Sequence, residues 1–291
     1  MVGYEIFVDG FAISSLYALG AVGFTLIFGV SGVLNLAHGG TMVVAAMIAW
    51  LVIGELHIGT APGALIGIIA AIAFAFATYF AVVRPIQRSR AIPAEETEIF
   101  ILTGTLLWGI MIQTALAYLF TTNPVTVPPL IRGVIPIFAV RTPRNEVLIA
   151  VICWLVMAGL WAFVSGTRAG KALLAASINP RALTLCGFEL SRIHLLVWTI
   201  YGVLAGIAGV LLGTYLGASS DNVGPLTASA FAIVILGGLG SVPGSLIAAY
   251  VVGYLETITA YLIAPTLRSI PALLIVILVL YIRPQGILGR R

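Results

Sequence analysis

Charge is what this sequence lacks most. It carries 14 Lys and Arg and 10 Asp and Glu in 291 residues. That is 8% of the chain, against about 25% in an average soluble domain. Lys171 is its single lysine. So few charges cannot cover the surface that a water-soluble fold of this length exposes, which excludes a soluble enzyme. Cysteine is equally scarce. Cys153 falls in an apolar run and Cys186 in a polar segment, giving neither metal-ligand spacing nor an obvious disulfide. The three histidines, His38, His57 and His194, are far apart and form no His-x-x-x-His pair on one helical face. There is no glycine-rich phosphate loop ending in Lys-Ser/Thr, and no acidic pair at catalytic spacing inside an apolar run. No catalytic residue, metal or cofactor is therefore expected. The stretch before Gly10 has no basic region, so a cleavable signal is not expected. A net charge of +4 is too small to argue for a nucleic-acid partner.

What is present is apolar: 61% of the residues are hydrophobic, and they come in long runs. Charge is absent from residues 10–54, 56–83, 99–131, 147–167, 193–220 and 222–255. Crossing ~30 Å of hydrocarbon takes about 20 helical residues at 1.5 Å each. The first stretch would make a single helix of roughly 68 Å, so it must fold back once. The same reasoning divides 222–255. The runs are continuous rather than alternating, which selects helices over a barrel. The expected fold is all-α, a polytopic membrane protein of about eight to nine segments: 7–29, 36–54, 62–83, 99–120, 146–164, 193–217, 226–236, 245–263 and 270–282.

The basic residues orient these segments. Arg84, Arg88, Arg90, Arg168, Lys171, Arg181, Arg192, Arg283, Arg290 and Arg291 share one side if the chain crosses nine times; Arg132, Arg141, Arg144 and Arg268 take the other. Lys and Arg are retained in the cytoplasm, so the N-terminus is expected outside and the C-terminus inside. Residues 121–145 then form an extracytoplasmic loop. Within it "LIRGVIPIFAV" reads either as a hairpin turned near Gly133 or as an irregular proline-rich loop.

The cytoplasmic segment 165–192 contains a short capped helix. Asn179 is a natural N-cap, Pro180 suits the first helical position, and Gly187 supplies the left-handed residue after the last turn. Such a helix serves as a docking element for a soluble partner or lies in the headgroups.

Two apolar segments, one per half, are interrupted by glycine and proline. In the first, Gly39 and its neighbours frame Asn35 and His38. The second holds Gly237, Gly238, Gly240, Ser241 and Pro243. Paired interruptions point to a translocation pathway, close helix packing, or tight connections at the ends of spans. Their positions favour a connection or gate near the cytoplasmic ends over a midplane site. Gly202, Gly206, Gly209 and Gly213 recur every three or four residues and mark one helix face for close packing, within the chain or against another membrane subunit. Glu256 interrupts an apolar run, where a carboxylate needs a partner, water or a proton.

Four strings in order, "SSLYALGAVGFTLIFGVSGVLNLAHGGTMVVAA" (14–46), "ASINPRALTLCGFELSRIHLLVWTIYGVLAGIAGVLLG" (176–213), "FAIVILGGLGSVPGSLIAAYVVGYLET" (231–257) and "RPQGILGRR" (283–291), resemble the branched-chain amino-acid-type ABC transporter permeases, closest to the shorter of their two membrane subunits. The resemblance implies one permease domain over residues 1–291, in a bacterial cytoplasmic (inner) membrane. It implies a second homologous permease, two ATP-binding cassette subunits and an extracytoplasmic solute-binding protein as partners. Ala176, Asn179, Pro180, Ala182 and Gly187 would form the ATPase-coupling loop. Asn35, His38, Gly39, Gly237, Gly238, Gly240 and Ser241 would belong to the pathway or its gate. The expected cargo is a branched-chain or related amino acid, moved by alternating access. The alternatives are urea, short amides or small organic acids and, in another class, an ion-coupled secondary transporter or channel with Glu256 as its ion site.

Overall fold

The computed structural model describes residues 2–93, 95–120, 123–137, 140–283 and 285–289. Arg290 and Arg291 lie outside them. Among the described residues, seven helices are long and apolar enough to cross a membrane. They are α1 (Val2–Ser31), α2 (His38–Trp50, extended by a π-helical turn, Leu51–Glu55), α3 (Thr60–Thr78, continued by a second π turn, Tyr79–Val83, into α4, Arg84–Arg88), α5 (Thr97–Leu119), α6 (Arg144–Gly166), α9 (Leu190–Tyr215) and α11 (Val242–Leu262). Two further apolar helices are short: α10 (Val223–Gly237) and α12 (Ile270–Ile282). At 1.5 Å per residue they reach about 22 and 20 Å, less than the hydrocarbon thickness.

The most apolar window of α1 is 89% buried, whereas those of α5 and α6 are 22% buried. The bundle is therefore built around α1. It runs antiparallel to α11, with Gly10 against Tyr254, Ser14 against Gly253, Thr25 bonded to Ser245 at 2.6 Å, and Gly29 against Gly240. Leu16, Leu19, Phe24 and Ile27 of α1 join Trp198, Tyr201 and Leu204 of α9 in one continuous core. The glycines of α9 meet two helices of the same chain. Gly202 and Gly206 rest on Ile72 and Ile68 of α3, while Gly209 and Gly213 rest on Met42 and Ala46 of α2. All four are buried, so the stripe has no face left for another permease.

The ends of the bundle differ. Arg84, Arg88, Arg168, Lys171, Arg181, Arg192 and Arg283 gather where α1, α6 and α10 finish and α9 and α11 begin. The opposite end carries a hairpin, β1 (Val134–Ile137) paired antiparallel with β2 (Val140–Pro143), in register Val134 with Pro143 through Ile137 with Val140. The hairpin exists, but its strands are joined after Ile137 rather than at Gly133. Gly133, at φ 115°, precedes β1 and accepts the Arg144 amide at 2.9 Å, closing the strand pair onto the start of α6. Residues 123–131 are sewn to the end of α9: Val125 and Ala218 exchange backbone bonds, and the Val127 amide donates to the Gly213 carbonyl.

The basic end carries two surface helices. α7 (Arg168–Ile178) opens on Thr167, whose hydroxyl accepts the Gly170 amide at 2.9 Å. α8 (Pro180–Leu185) opens on Asn179, which accepts the Ala182 amide at 3.0 Å, and closes at Gly187 with φ 85°. Ala172, Leu173 and Ala176 are buried, while Leu174, Ile178, Leu185 and Phe188 stand exposed among the basic side chains.

Candidate functional site

The two interrupted segments have different fates. After Ser31 the chain leaves the helix for residues 32–37, with Gly32 at φ 65°, and resumes at His38. These residues do not merely turn at the end of α1. His38 lies against Gly20 and Phe24, and Gly20 is eleven residues, about 16 Å, short of the end of α1. It also meets Tyr201, about 16 Å into α9. The segment thus climbs back to the middle of the bundle, deeper than the end-of-span position its sequence suggested, and α2 begins there. Buried non-helical backbone needs partners. The Ala37 amide donates to Asn35 Oδ1 at 3.1 Å, and the Leu36 amide to Thr105 Oγ1 at 3.1 Å.

The second segment is a tight connection at the basic end. Gly238 and Gly240, at φ 98° and 81°, turn the chain from α10 into α11, and the Ser241 hydroxyl caps α11 by accepting the Gly244 amide. Gly237 and Gly244 touch backbone to backbone, which a Cβ on either would prevent. Residues 285–289 lie over this turn, where Ile287 donates its amide to the Leu236 carbonyl at 2.8 Å and Leu288 donates to Gly237 at 3.1 Å. Gly240 also faces Gly29 at the end of α1, beside Ser177 of α7. The turn, the end of α1 and the surface helices thus share one junction.

A different irregular segment accompanies the start of α2. Residues 216–222 lead into α10, and Ala218, Ser219 and Ser220 are buried. The first turn of α10 meets that of α2: the Gly39 amide donates to Thr227 Oγ1 at 2.9 Å, and a Cβ on Gly39 would run into the Val223 carbonyl. Two helices therefore start inside the bundle, side by side. The sequence hides this pairing because Asp221 and Asn222 make 216–222 look like an ordinary polar loop.

Polar side chains converge on these starts. Asn35 Nδ2, His38 Nδ1 and Thr41 Oγ1 lie 3.0, 3.2 and 3.0 Å from the Tyr201 hydroxyl, and all four residues are fully buried. Next to them Glu256 is fully buried and accepts from the Tyr17 hydroxyl at 2.6 Å and the Ser229 hydroxyl at 2.7 Å. Arg268 Nε stands 3.4 Å from the same carboxylate. Between the two clusters is a narrow space of about 10 Å³, bounded by Tyr17 and Gly20 of α1, His38 and Met42 of α2, and Leu226 and Ala230 of α10. His38 Nε2 has no hydrogen-bond partner there. Among the described residues no three His, Cys, Asp or Glu come together as a metal site. What the arrangement offers is a narrow space at mid-depth, lined by Tyr17 and His38 among apolar side chains, with a hydrogen-bonded cluster on either side. Of the expected pathway residues it gathers Asn35, His38 and Gly39, and leaves Gly237, Gly238, Gly240 and Ser241 at the junction with the surface helices. Tyr17, Thr41, Tyr201, Thr227, Ser229 and Arg268 were not expected there. A tyrosine or threonine in an apolar run carries no signal of which face it takes.

Residues 6–280 match the family described as branched-chain amino acid transport system / permease component. The chain belongs to this family. It is similar to the high-affinity branched-chain amino acid transport system permease protein LivH of Salmonella typhimurium, at 27% identity covering 97% of this chain and 94% of the relative. It is also similar to the corresponding protein BraD of Pseudomonas aeruginosa, at 31% identity with the same coverage. A more distant likeness, 26% over 84% of the chain and 74% of the relative, is to the ribose import permease protein RbsC of Escherichia coli. The protein is thus a transport permease component and not an enzyme.

Proposed function

We propose that this chain is the membrane permease of an ABC importer for branched-chain or related amino acids. It acts with a second homologous permease, two ATP-binding subunits and an extracytoplasmic solute-binding protein. The basic end faces the cytoplasm, following the retention of Arg and Lys on that side, and the hairpin end faces out. The transported amino acid is suggested by LivH and BraD, relatives that cover nearly the whole chain.

The observation that carries the coupling role is the α7–α8 pair. It is rigidly capped at Thr167 and Asn179, exposes Leu174, Ile178 and Leu185 to a soluble partner, and touches the end of α1 through Ser177 and Gly29. A push on α7 and α8 passes to α1 and to the turn between α10 and α11, the helices that wall the buried polar site. Alternating access then opens that site to one end at a time. Ion-coupled transport on Glu256 finds less support, because Tyr17, Ser229 and Arg268 already occupy its carboxylate oxygens.

The test is Gly187→Val in the assembled transporter. A Cβ there meets nothing within 4 Å, so the substitution acts only through its left-handed φ of 85°. For a β-branched residue that costs about 1–3 kcal/mol and unwinds the end of α8. Uptake per ATP hydrolysed should fall; unchanged coupling would remove α8 from the motor interface.

A further inference from the structure

We propose that the space between α1, α2 and α10 is the closed form of a subsite for the carboxylate of a small zwitterionic solute, with His38 Nε2–H as its donor. The proposal rests on the transport reading above and adds the place and the chemistry of one contact.

The donor follows from proton accounting. A phenol oxygen has one proton to give and two lone pairs. Asn35 Nδ2 can only donate, at 3.0 Å, and takes one lone pair of Tyr201. Thr41 Oγ1 lies 3.0 Å from Tyr201 and 3.3 Å from the Ala37 carbonyl, and takes the other lone pair in the arrangement proposed here, where its proton points to Tyr201. The Tyr201 proton is left for His38 Nδ1. A neutral imidazole then carries its own proton on Nε2. That atom is fully buried, has no acceptor, and lies against Gly20 beside the narrow space.

The field at this point suits a carboxylate. α2 begins at His38 and α10 begins close by, so the positive ends of two helices meet there. The buried acid of these helices, Glu256, is held behind Tyr17 and paired with Arg268, and Asp221, just before α10, is exposed. Leu16, Met42, Leu226 and Ile233 make the rest of the lining apolar, which fits an aliphatic side chain. About 10 Å³ is the room of a single water, so the solute enters only when α10 swings from α1 and α2. Nε2 then exchanges an empty contact for a charged one.

The test uses the permease–ATPase complex in lipid nanodiscs without the binding protein, so that solute meets the membrane subunits directly. Ala230→Cys, in a Cys153→Ala, Cys186→Ser background, reports on the space through its rate of alkylation by N-ethylmaleimide during ATP turnover. L-leucine should slow alkylation, and L-leucinamide, which has the same side chain and no carboxylate, should do so about tenfold less effectively, as expected for loss of one charged hydrogen bond. His38→Leu should abolish that preference, and His38→Gln, which restores a donor, should recover it. Equal protection by acid and amide, or a preference that survives His38→Leu, overturns the assignment. Should His38→Leu fail to assemble, Gly20→Ala gives a second reading, since its Cβ would stand 3.4 Å from Nε2 and 3.6 Å from Met42 Sδ. It should weaken protection by leucine severalfold, and unaltered protection overturns the assignment. Leucine accumulation by the complete transporter is measured alongside. Protection without accumulation refutes the transport reading alone; accumulation without protection refutes the subsite alone.

Discussion

Gly209→Ala is the sharpest probe of how closely α2 and α9 must approach. A Cβ at Gly209 would lie 2.8 Å from both the Cα and the carbonyl carbon of Met42, with the carbonyl oxygen nearer still. Ordinary contact begins at about 3.4 Å, so α2 has to move by at least about 0.6 Å. The obstacle is backbone, which cannot rotate away, and overpacking of this kind costs about 1–3 kcal/mol. Alanine also brings a gain of about 0.5–1 kcal/mol from helix propensity. Gly159→Ala in α6 isolates that gain, because nothing lies within 4 Å of its Cβ. Gly159→Ala should therefore hold or raise the unfolding temperature of the detergent-solubilised protein. Gly209→Ala should lower it by several degrees, at about 2–4 °C per kcal/mol. Because His38 opens the same helix that Gly209 would displace, leucine uptake should fall by more than the loss of folded protein explains. Equal melting temperatures for the two variants would refute the close approach of α9 to α2.

Asn179→Ala removes the Ala182 cap bond and should cost about 1 kcal/mol locally. It should fray α8 and lower uptake per ATP hydrolysed, as measured by parallel uptake and phosphate-release assays. Glu256→Gln leaves Arg268 without its counter-charge and strands a donor from Tyr17 or Ser229. A loss of about 2–3 kcal/mol is expected in denaturant titration, partly recovered in the double variant with Arg268→Met. Gly286→Ala places a Cβ 2.5 Å from the Gly238 nitrogen and the Ile235 carbonyl oxygen, at φ 76°. The 285–289 segment should lift away, seen as faster amide exchange at Ile287 and Leu288.

Much of the fold is legible in where charge is missing. The charge-free runs give the nine apolar segments, and the Asn179-Pro180 pair with Gly187 gives α8 nearly to the residue. α7 was missed because "SGTRAGKALLAASI" mixes glycine, serine and two cations, and reads as a linker. Its signal was Thr167, an N-cap as plain as Asn179. The hairpin is legible from its β-branched residues, but Gly133 looks like the turn because glycine fits both a turn and the strained entry it actually makes. Depth was not legible at all. The 45-residue run must fold back, yet nothing in its composition says that residues 32–37 climb about 16 Å before α2 starts. Nor does spacing reveal that Glu256 is answered by Arg268, twelve positions on and across a break in the helix.

The segment 285–289 also bears on how the protein is made. It satisfies the carbonyls of Leu236 and Gly237, which leave the ribosome about fifty residues before Ile287 and Leu288 do. At about 5–20 residues per second, α10 therefore waits roughly 3–10 s for its last backbone partners. Through that interval α11 and α12 are inserted while the turn they depend on is unfinished. The translocon or water must supply the missing donors until the segment arrives.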